Sequence, residues 1–289
     1  MIRIEAQPDV EIGNLLGEGP FWWRDRLIWV DLLNGILLRR DHDGGWVEVL
    51  SRDSGLSVAV PRRNGGLALL AGRTIELLDA DLNVERIIPV PALREGERLA
   101  DATAGPAGEL WFGSIREDLT SGGCLFRLRP NEQSPQVVLT GVGLANGLGF
   151  APDARTLYFV DSAAGTVTAF DYDPATQELS RSKIIATIDP ADGSPDGITV
   201  DAAGSIWVAL WAGGCVRRLD ADGTWSQEVL VPAPNVTSCA LGGEGLNILY
   251  ITTGTVEMDT AALDASPLAG SLFATPVPVP GLPALEIEL

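Results

Sequence analysis

Residues 204–220 read GSIWVALWAGGCVRRLD, and the shape of this stretch returns along the whole chain. A turn leads into an apolar strand that contains Trp207, and a glycine-rich turn then leads into a second strand that ends at Asp220. Runs of β-branched and aromatic residues bounded by Gly, Asp and Asn are typical of β-strands joined by tight turns. The stretch therefore predicts a β-hairpin as the repeating unit.

Five other segments share this pattern, and their central residues set its period. Together with Trp207 the central residues are Trp29, Leu69, Trp111, Tyr158 and Tyr250. They follow one another at intervals of 40, 42, 47, 49 and 43 residues. A period of about 44 residues is typical of four-stranded propeller blades. We therefore predict an all-β fold, a six-bladed β-propeller with four antiparallel strands in each blade.

Both ends of the chain carry strand-like segments, RIEAQ at 3–7 and ALEIEL at 284–289. An open ring would expose sheet edges, so we expect one terminus to complete a blade that begins at the opposite end. No linker or change of composition divides the chain, which predicts a single domain over residues 1–289. A short helical turn is expected at 258–266.

Composition excludes several classes of function. The 289 residues include 20 Lys and Arg against 39 Asp and Glu, a net charge of −19. Such an acidic surface disfavours binding to nucleic acids and to anionic membranes. The N-terminus lacks the apolar core of a secretory signal, and three scattered cysteines form neither a disulfide framework nor a CxxC zinc motif. These features predict a cytoplasmic protein.

Histidine chemistry is limited as well. The single histidine, His42, lies in a charged segment and is expected to be an exposed turn residue. A Ser-His-Asp triad or a site with several histidines is therefore disfavoured. Any chemistry should use carboxylates, amides and a hard metal ion.

Three oxygen-bearing residues occupy similar places before strands of different blades. The repeat superposes Asn146 on Asp196, each followed by glycine, and Glu18 takes a similar place in the first blade. Ligands of propellers bind at a mouth of the axial channel, and three converging oxygens would suit Ca²⁺, Mg²⁺ or Mn²⁺. Asn-Gly and Asp-Gly are also common tight-turn dipeptides, so this pattern taken alone favours plain turns for Asn146 and Asp196.

Whether Asn146 and Asp196 form plain turns or bind a metal ion is decided by a series of motifs. These motifs follow one another in order from about residue 15 to residue 280. The motifs are LGEGPFW (16–22), WVD (29–31), NGLGFAPD (146–153), SPDGITVD (194–201), IWVALW (206–211), LYITT (249–253) and PLAGSLF (267–273). In this order they resemble the senescence marker protein, gluconolactonase and luciferin-regenerating enzyme family. The late segments are most similar to bacterial sugar lactonases, including pentonolactonases.

The resemblance implies a hydrolase of carbohydrate metabolism that opens a small sugar lactone with the help of one divalent metal ion. It places metal ligation on Glu18, Asn146 and Asp196, with Ca²⁺ favoured and Zn²⁺, Mn²⁺, Mg²⁺ or Fe²⁺ as alternatives. It also implies catalytic roles for Asp196, as general base, and for Arg98, which would contact the substrate. We expect a monomer or a weak homo-oligomer.

Two further residues are candidates for substrate contact. Trp211 lies just past a strand and could stack on a sugar ring. Asp101 follows Arg98 closely and could bind substrate, although a carboxylate that stabilises a turn is the alternative. Glu117 and Asp118, in a loop after the Trp111 strand, could touch a polar substrate, but a solvated surface loop is favoured for them.

The sequence departs from the family pattern at one place. Relatives usually carry Arg-x-Asn-Asp where this chain reads Arg98-Leu99-Ala100-Asp101. The change removes an amide from the site, and the sequence therefore does not specify which lactone is the substrate. Hydrolysis of organophosphates, or binding of a metal or ligand without turnover, are the alternative functions.

Overall fold

Six β-sheets form the part of the chain that the computed structural model describes, residues 1–41, 43–120 and 122–289. Each sheet contains four antiparallel strands, and one of them gains a fifth strand. The sheets are arranged as the blades of a propeller, which confirms the predicted fold class. The predicted exposed turn at His42 lies outside the described residues.

The strands are numbered in chain order, beginning with β1 (Ile2–Glu5) and β2 (Gln7–Val10). Blade 1 contains β3 (Gly17–Trp23), β4 (Arg26–Asp31), β5 (Ile36–Arg40) and β6 (Trp46–Ser51). Blade 2 contains β7 (Val58–Pro61), β8 (Leu67–Ala71), β9 (Thr74–Leu78) and β10 (Val84–Pro89). Blade 3 contains β11 (Glu97–Ala104), β12 (Leu110–Arg116), β13 (Gly123–Leu128) and β14 (Gln136–Val142).

Blade 4 contains β15 (Ala145–Phe150), β16 (Thr156–Asp161), β17 (Thr166–Asp173) and β18 (Glu178–Thr187). Blade 5 contains β19 (Ser194–Val200), β20 (Ile206–Trp211), β21 (Cys215–Leu219) and β22 (Trp225–Leu230). Blade 6 contains β23 (Val236–Gly242), β24 (Ile248–Thr253) and β25 (Leu272–Pro276). A 3₁₀ turn (Pro190–Asp192) precedes blade 5, and helix α1 (Thr260–Ala265) lies within the predicted helical segment.

The N-terminus closes the ring, as one of the two expected outcomes. β2 pairs antiparallel with β25 and completes blade 6, while β1 pairs parallel with β22 as the fifth strand of blade 5. The expectation of a strand at 284–289 is wrong, because that segment makes only an isolated bridge between Ile287 and Arg62. With β2 already on the edge of blade 6, the C-terminal segment instead crosses the end of the channel.

The repeat residues all lie on the second strand of their blades and pack between sheets. Trp29, Trp111 and Trp207 are fully buried. Buried indoles need a hydrogen-bond partner, and here Trp111 Nε1 donates to Glu109 at 2.9 Å and Trp207 Nε1 to Asp201 at 3.2 Å. The three cysteines are buried free thiols, as their place in strands indicates. None of the described helices is long and apolar enough to cross a membrane.

Candidate functional site

The first strands of the blades, β3, β7, β11, β15, β19 and β23, contact one another around the axis of the propeller. In β3, β11, β15 and β19 the pairing with the second strand is interrupted by a register shift at the same end of the strand. Such bulges redirect side chains and are frequent beside functional sites. The residues at these shifts therefore point differently from an ordinary strand residue.

One residue in each of these four strands lies at the register shift, and we call its place the inner-ring position. In β11, β15 and β19 it directly follows the last paired residue before the shift, in the pairs Leu99–Ser114, Ala145–Asp161 and Pro195–Leu210. In β3 it is itself that last paired residue, Glu18, opposite Val30. The inner-ring residues are accordingly Glu18, Ala100, Asn146 and Asp196. Asn146 and Asp196 therefore match in the pairing, as the repeat predicts, and Ala100 occupies the same place in blade 3. Glu18 lies one residue earlier relative to its shift.

Glycines allow the inner strands to approach closely at this level. A Cβ on Gly147 would lie 2.7 Å from the carbonyl oxygen of Asp196, and one on Gly197 would lie 2.0 Å from Ser238 Oγ. Neither distance is compatible with a side chain. Gly147 and Gly197 are thus needed for the close packing of neighbouring blades, and they do not mark an exposed tight turn.

A cavity of about 550 Å³ opens above the inner ring, and we call it the upper cavity. Its size falls in the range of small-molecule sites. The residues predicted for ligation, catalysis and substrate contact all line it, namely Glu18, Arg98, Asp101, Asn146, Asp196 and Trp211. The structure thus brings together side chains from four blades, while the roles assigned to them remain predictions.

Three carboxylates share the floor of the upper cavity. Burial raises the pKa of Glu18 to about 8, and the negative charge of Asp101 adds to this effect. Burial also raises the pKa of Asp101 to about 6. The pKa of Asp196 lies well above its usual range because of burial and the charges of the other two. Carboxylates held together against their mutual repulsion favour a positively charged ligand between them.

The amide of Asn146 is oriented by its neighbour. Its Nδ2 donates to Ser162 Oγ at 2.8 Å, so the amide oxygen is the atom left for a ligand. Within the described residues, no group of three or more His, Cys, Asp or Glu side chains is arranged to hold a metal ion. The predicted ligand set is of a different kind, since it consists of two carboxylates and an amide. Oxygen donors of this type fit a hard divalent cation.

Arg98 supplies the positive charge of the cavity. Burial lowers the pKa of its guanidinium, while the negative charges of Glu18 and Glu117 act in the opposite direction. One guanidinium nitrogen donates to the carbonyl oxygen of Leu99 at 3.1 Å, which steadies the side chain. Glu117 is exposed, as expected, and also borders the upper cavity. Asp118 turns away from it and binds Arg116 at 2.7 Å.

Asp101 has a structural task as well as a place in the cavity. Its carboxylate accepts hydrogen bonds from the backbone N–H groups of Ala102, at 2.7 Å, and of Leu148 in blade 4. It therefore joins two inner strands, which is a structural role other than the turn considered for it. Asp101 also borders a second cavity of about 260 Å³ further along the channel, where residues 282–285 of the C-terminal segment form part of the lining.

Sequence reasoning missed most of the upper cavity's wall. Three serines, Ser57, Ser162 and Ser194, line it together with several leucines from separate blades. Among these serines, only the position of Ser162 could have been used to predict its place in the cavity. It follows Asp161 at the end of the strand that pairs with the strand of Asn146. The leucines are ordinary in sequence and meet only when the ring closes.

Known proteins resemble this chain over nearly its whole length. Residues 16–255 match the family model described as the SMP-30/gluconolactonase/LRE-like region. A pentonolactonase of Haloferax volcanii is 38% identical over 97% of both chains, and a 6-deoxy-6-sulfogluconolactonase of Pseudomonas putida is 34% identical over 93% of both. The crystal structure of a calcium-binding protein, regucalcin, from Agrobacterium tumefaciens has the same fold, with a TM-score of 0.93 at 23% identity over 100% of this chain and 99% of that one. The predicted family is confirmed.

Proposed function

The chain belongs to the SMP-30/gluconolactonase/LRE-like family, and from this premise we propose that it is a metal-dependent hydrolase that opens sugar lactones to aldonic acids. The observation that carries the proposal is the inner ring, in which Glu18, Asn146 and Asp196 bring oxygen donors from three blades to the floor of one cavity. The names of the two lactonase relatives support the substrate class.

The donor set fits a divalent cation, with Ca²⁺ proposed first and Zn²⁺, Mn²⁺, Mg²⁺ or Fe²⁺ as alternatives. Burial raises the pKa of Glu18 and of Asp196, and the positive charge of Arg98 offsets this at Glu18 only in part. Glu18, Asn146 and Asp196 would hold the ion. When bound, such an ion supplies Lewis-acid polarisation of a carbonyl oxygen.

Asp196 is proposed as the general base. Its carboxylate lies at the floor of the cavity, where it can take a proton from a water molecule that attacks the lactone carbonyl carbon. The bond between that carbon and the ring oxygen then breaks, the ring oxygen takes up a proton, and the product is a hydroxy acid. Asp196 can accept a proton only while its carboxylate is ionised. A cation held on the floor of the cavity would keep it ionised and would also offset the repulsion between the carboxylates.

Arg98 is proposed to orient the substrate. Its guanidinium is partly held by the carbonyl of Leu99 and keeps further N–H donors for the upper cavity. Those donors can bind the carbonyl or ring oxygen of the lactone and so stabilise the negative charge that develops on it during the reaction. Trp211, half-buried at the same cavity, offers a flat surface for the ring.

The deciding experiment is turnover of a panel of aldonolactones by chelated protein after addition of Ca²⁺, Mg²⁺, Mn²⁺ or Zn²⁺. We expect chelation to abolish hydrolysis, one ion to restore it, and Asp196→Asn to lower kcat by about 100-fold or more. Asp222→Asn, on an exposed hairpin turn of the same blade, is the matched control and should retain activity. Full metal affinity and full turnover in Asp196→Asn would overturn the assignment.

We further propose that the enzyme acts in the cytoplasm as a monomer or weak homo-oligomer. A net charge of −19 makes copies of the chain repel one another at low ionic strength. Sedimentation at low and high salt tests this, and a stable oligomer at low salt would contradict it.

A further inference from the structure

The upper cavity has two halves of different chemistry. Its floor carries the carboxylates, the amide and the guanidinium described above. Much of its wall and rim is apolar, and includes Leu16, Leu32, Leu33, Ala100, Ile115 and Leu119. A fully hydroxylated sugar lactone would place several of its hydroxyls against that wall.

The serines of the wall cannot donate hydrogen bonds to such hydroxyls. Ser57 Oγ donates to the carbonyl of Leu99 at 2.7 Å, Ser162 Oγ to that of Pro195 at 2.5 Å, and Ser194 Oγ to that of Ser162 at 3.1 Å. A hydroxyl has a single proton to donate. Because each proton is already engaged with the backbone, the serine hydroxyls can only accept hydrogen bonds from a polyhydroxylated ligand.

Blade 3 extends the apolar wall down to the inner ring. Ala100 presents a methyl group at the position where blades 4 and 5 carry the oxygen atoms of Asn146 and Asp196. It is 4% exposed and belongs to an apolar cluster with Trp111, Ile115 and Leu148. One side of the cavity is therefore apolar from the floor upward.

The rim continues this surface into solvent. Leu33 is 45% exposed and Leu119 is 53% exposed, and both line the upper cavity. Single exposed leucines are ordinary on a protein surface. Here they stand at a cavity mouth, above an apolar wall, where a bound ligand would remove them from water.

We propose that the preferred substrate is a lactone with an apolar side, namely a deoxy-sugar lactone or an alkyl-substituted lactone, rather than a fully hydroxylated aldonolactone. This inference rests on the proposed function and narrows it. A hydroxyl pressed against the apolar wall loses its hydrogen bonds to water and gains none, whereas a methyl group there is buried favourably. The cavity of about 550 Å³ has the volume of about 18 liquid water molecules, which leaves room for a substituent beyond the lactone ring.

The test compares one pair of substrates that differ by a single hydroxyl, a pentono-1,4-lactone and its 5-deoxy counterpart. We expect kcat/KM to favour the deoxy lactone by at least about fivefold, the lower end of the effect of an unpartnered buried hydroxyl. Leu119→Asn should reduce or reverse this preference, because it adds an amide at the rim. Asparagine suits this position, since Leu119 has a φ of 55°.

Leu246→Asn is the matched control. Leu246 has a φ of 53° in a turn of blade 6, and it lines neither cavity. Its substitution should leave the substrate preference unchanged. Equal preference, or a preference for the hydroxylated lactone, would overturn the inference while the lactonase function stands.

A binding measurement keeps the inference independent of turnover. Calorimetric titration with the two ring-opened acids should give tighter binding of the deoxy acid by a similar factor. If neither lactone is hydrolysed but the deoxy acid binds more tightly, the proposed reaction fails and the apolar subsite stands. Equal binding of the two acids would overturn the subsite.

Discussion

Replacing Glu18 by glutamine in metal-free protein tests the electrostatics of the inner ring directly. The folded protein raises the pKa of Glu18 from 4.5 to about 8. Between those two pH values the unfolded chain releases this proton while the folded chain keeps it. Stability therefore falls as the pH rises through this window, and the contribution of Glu18 is fully present only below pH 4.5.

The expected magnitude follows from the pKa. Each pH unit between the two pKa values changes the free energy of unfolding by about 1.4 kcal/mol, so Glu18 lowers it by about 3 kcal/mol between pH 4.5 and pH 7 in the absence of a cation. Glutamine has nearly the same shape and does not titrate. The Glu18→Gln protein should therefore lose about 3 kcal/mol less than the wild type over this range.

Urea denaturation in the presence of a chelator at pH 5, 6, 7 and 8 measures this difference. Glu244→Gln, which removes the same charge from an exposed turn, is the control and should behave as the wild type does. Addition of the activating cation at pH 7 should stabilise the wild type and have a much smaller effect on Glu18→Gln. Parallel loss of stability in wild type and Glu18→Gln from pH 5 to pH 8 would refute the reasoning from burial and repulsion.

Three further substitutions test other parts of the structure. Ala100→Asn should raise kcat/KM for fully hydroxylated lactones by about 5- to 150-fold, since it restores a hydrogen-bonding group to the inner ring; a slower enzyme would show that the space at Ala100 is needed by the substrate. Gly197→Ala should lower the free energy of unfolding by about 1–3 kcal/mol, because its Cβ would lie 2.0 Å from Ser238 Oγ, whereas Gly13→Ala, which meets no atom within 4 Å, should have little effect in the same urea titration. Asp201→Ala should cost about 3–5 kcal/mol, because it leaves a guanidinium 2.8 Å away without its buried partner; a change below about 1 kcal/mol in thermal or urea unfolding would contradict this role.

The architecture could be predicted from local features of the sequence. Strand and turn composition is a property of neighbouring residues, and its return every 44 residues or so is enough to indicate six blades. The same repeat matched Asn146 with Asp196 in neighbouring blades, because equivalent residues in equivalent blades face the same axis. These inferences need no knowledge of which distant segments touch.

The closure of the ring and the nature of the cavity required the tertiary structure. Either terminus could have completed a blade by pattern alone, and the choice of β2 depends on its pairing with β25, more than 250 residues later in the chain. The raised pKa of Asp196 likewise depends on its burial in the closed ring and on the charges of Glu18 and Asp101, which belong to other blades.

The division between the two sources of information has a physical basis. Hydrogen-bonded hairpins and turns are set by residues close together in the chain, so their pattern is legible in the sequence. The apolar wall at Ala100, the engaged hydroxyl of Ser162 and the leucines of the rim become a substrate surface only where blades meet. Burial, repulsion and desolvation arise between residues that the chain separates widely, and only the folded ring decides them.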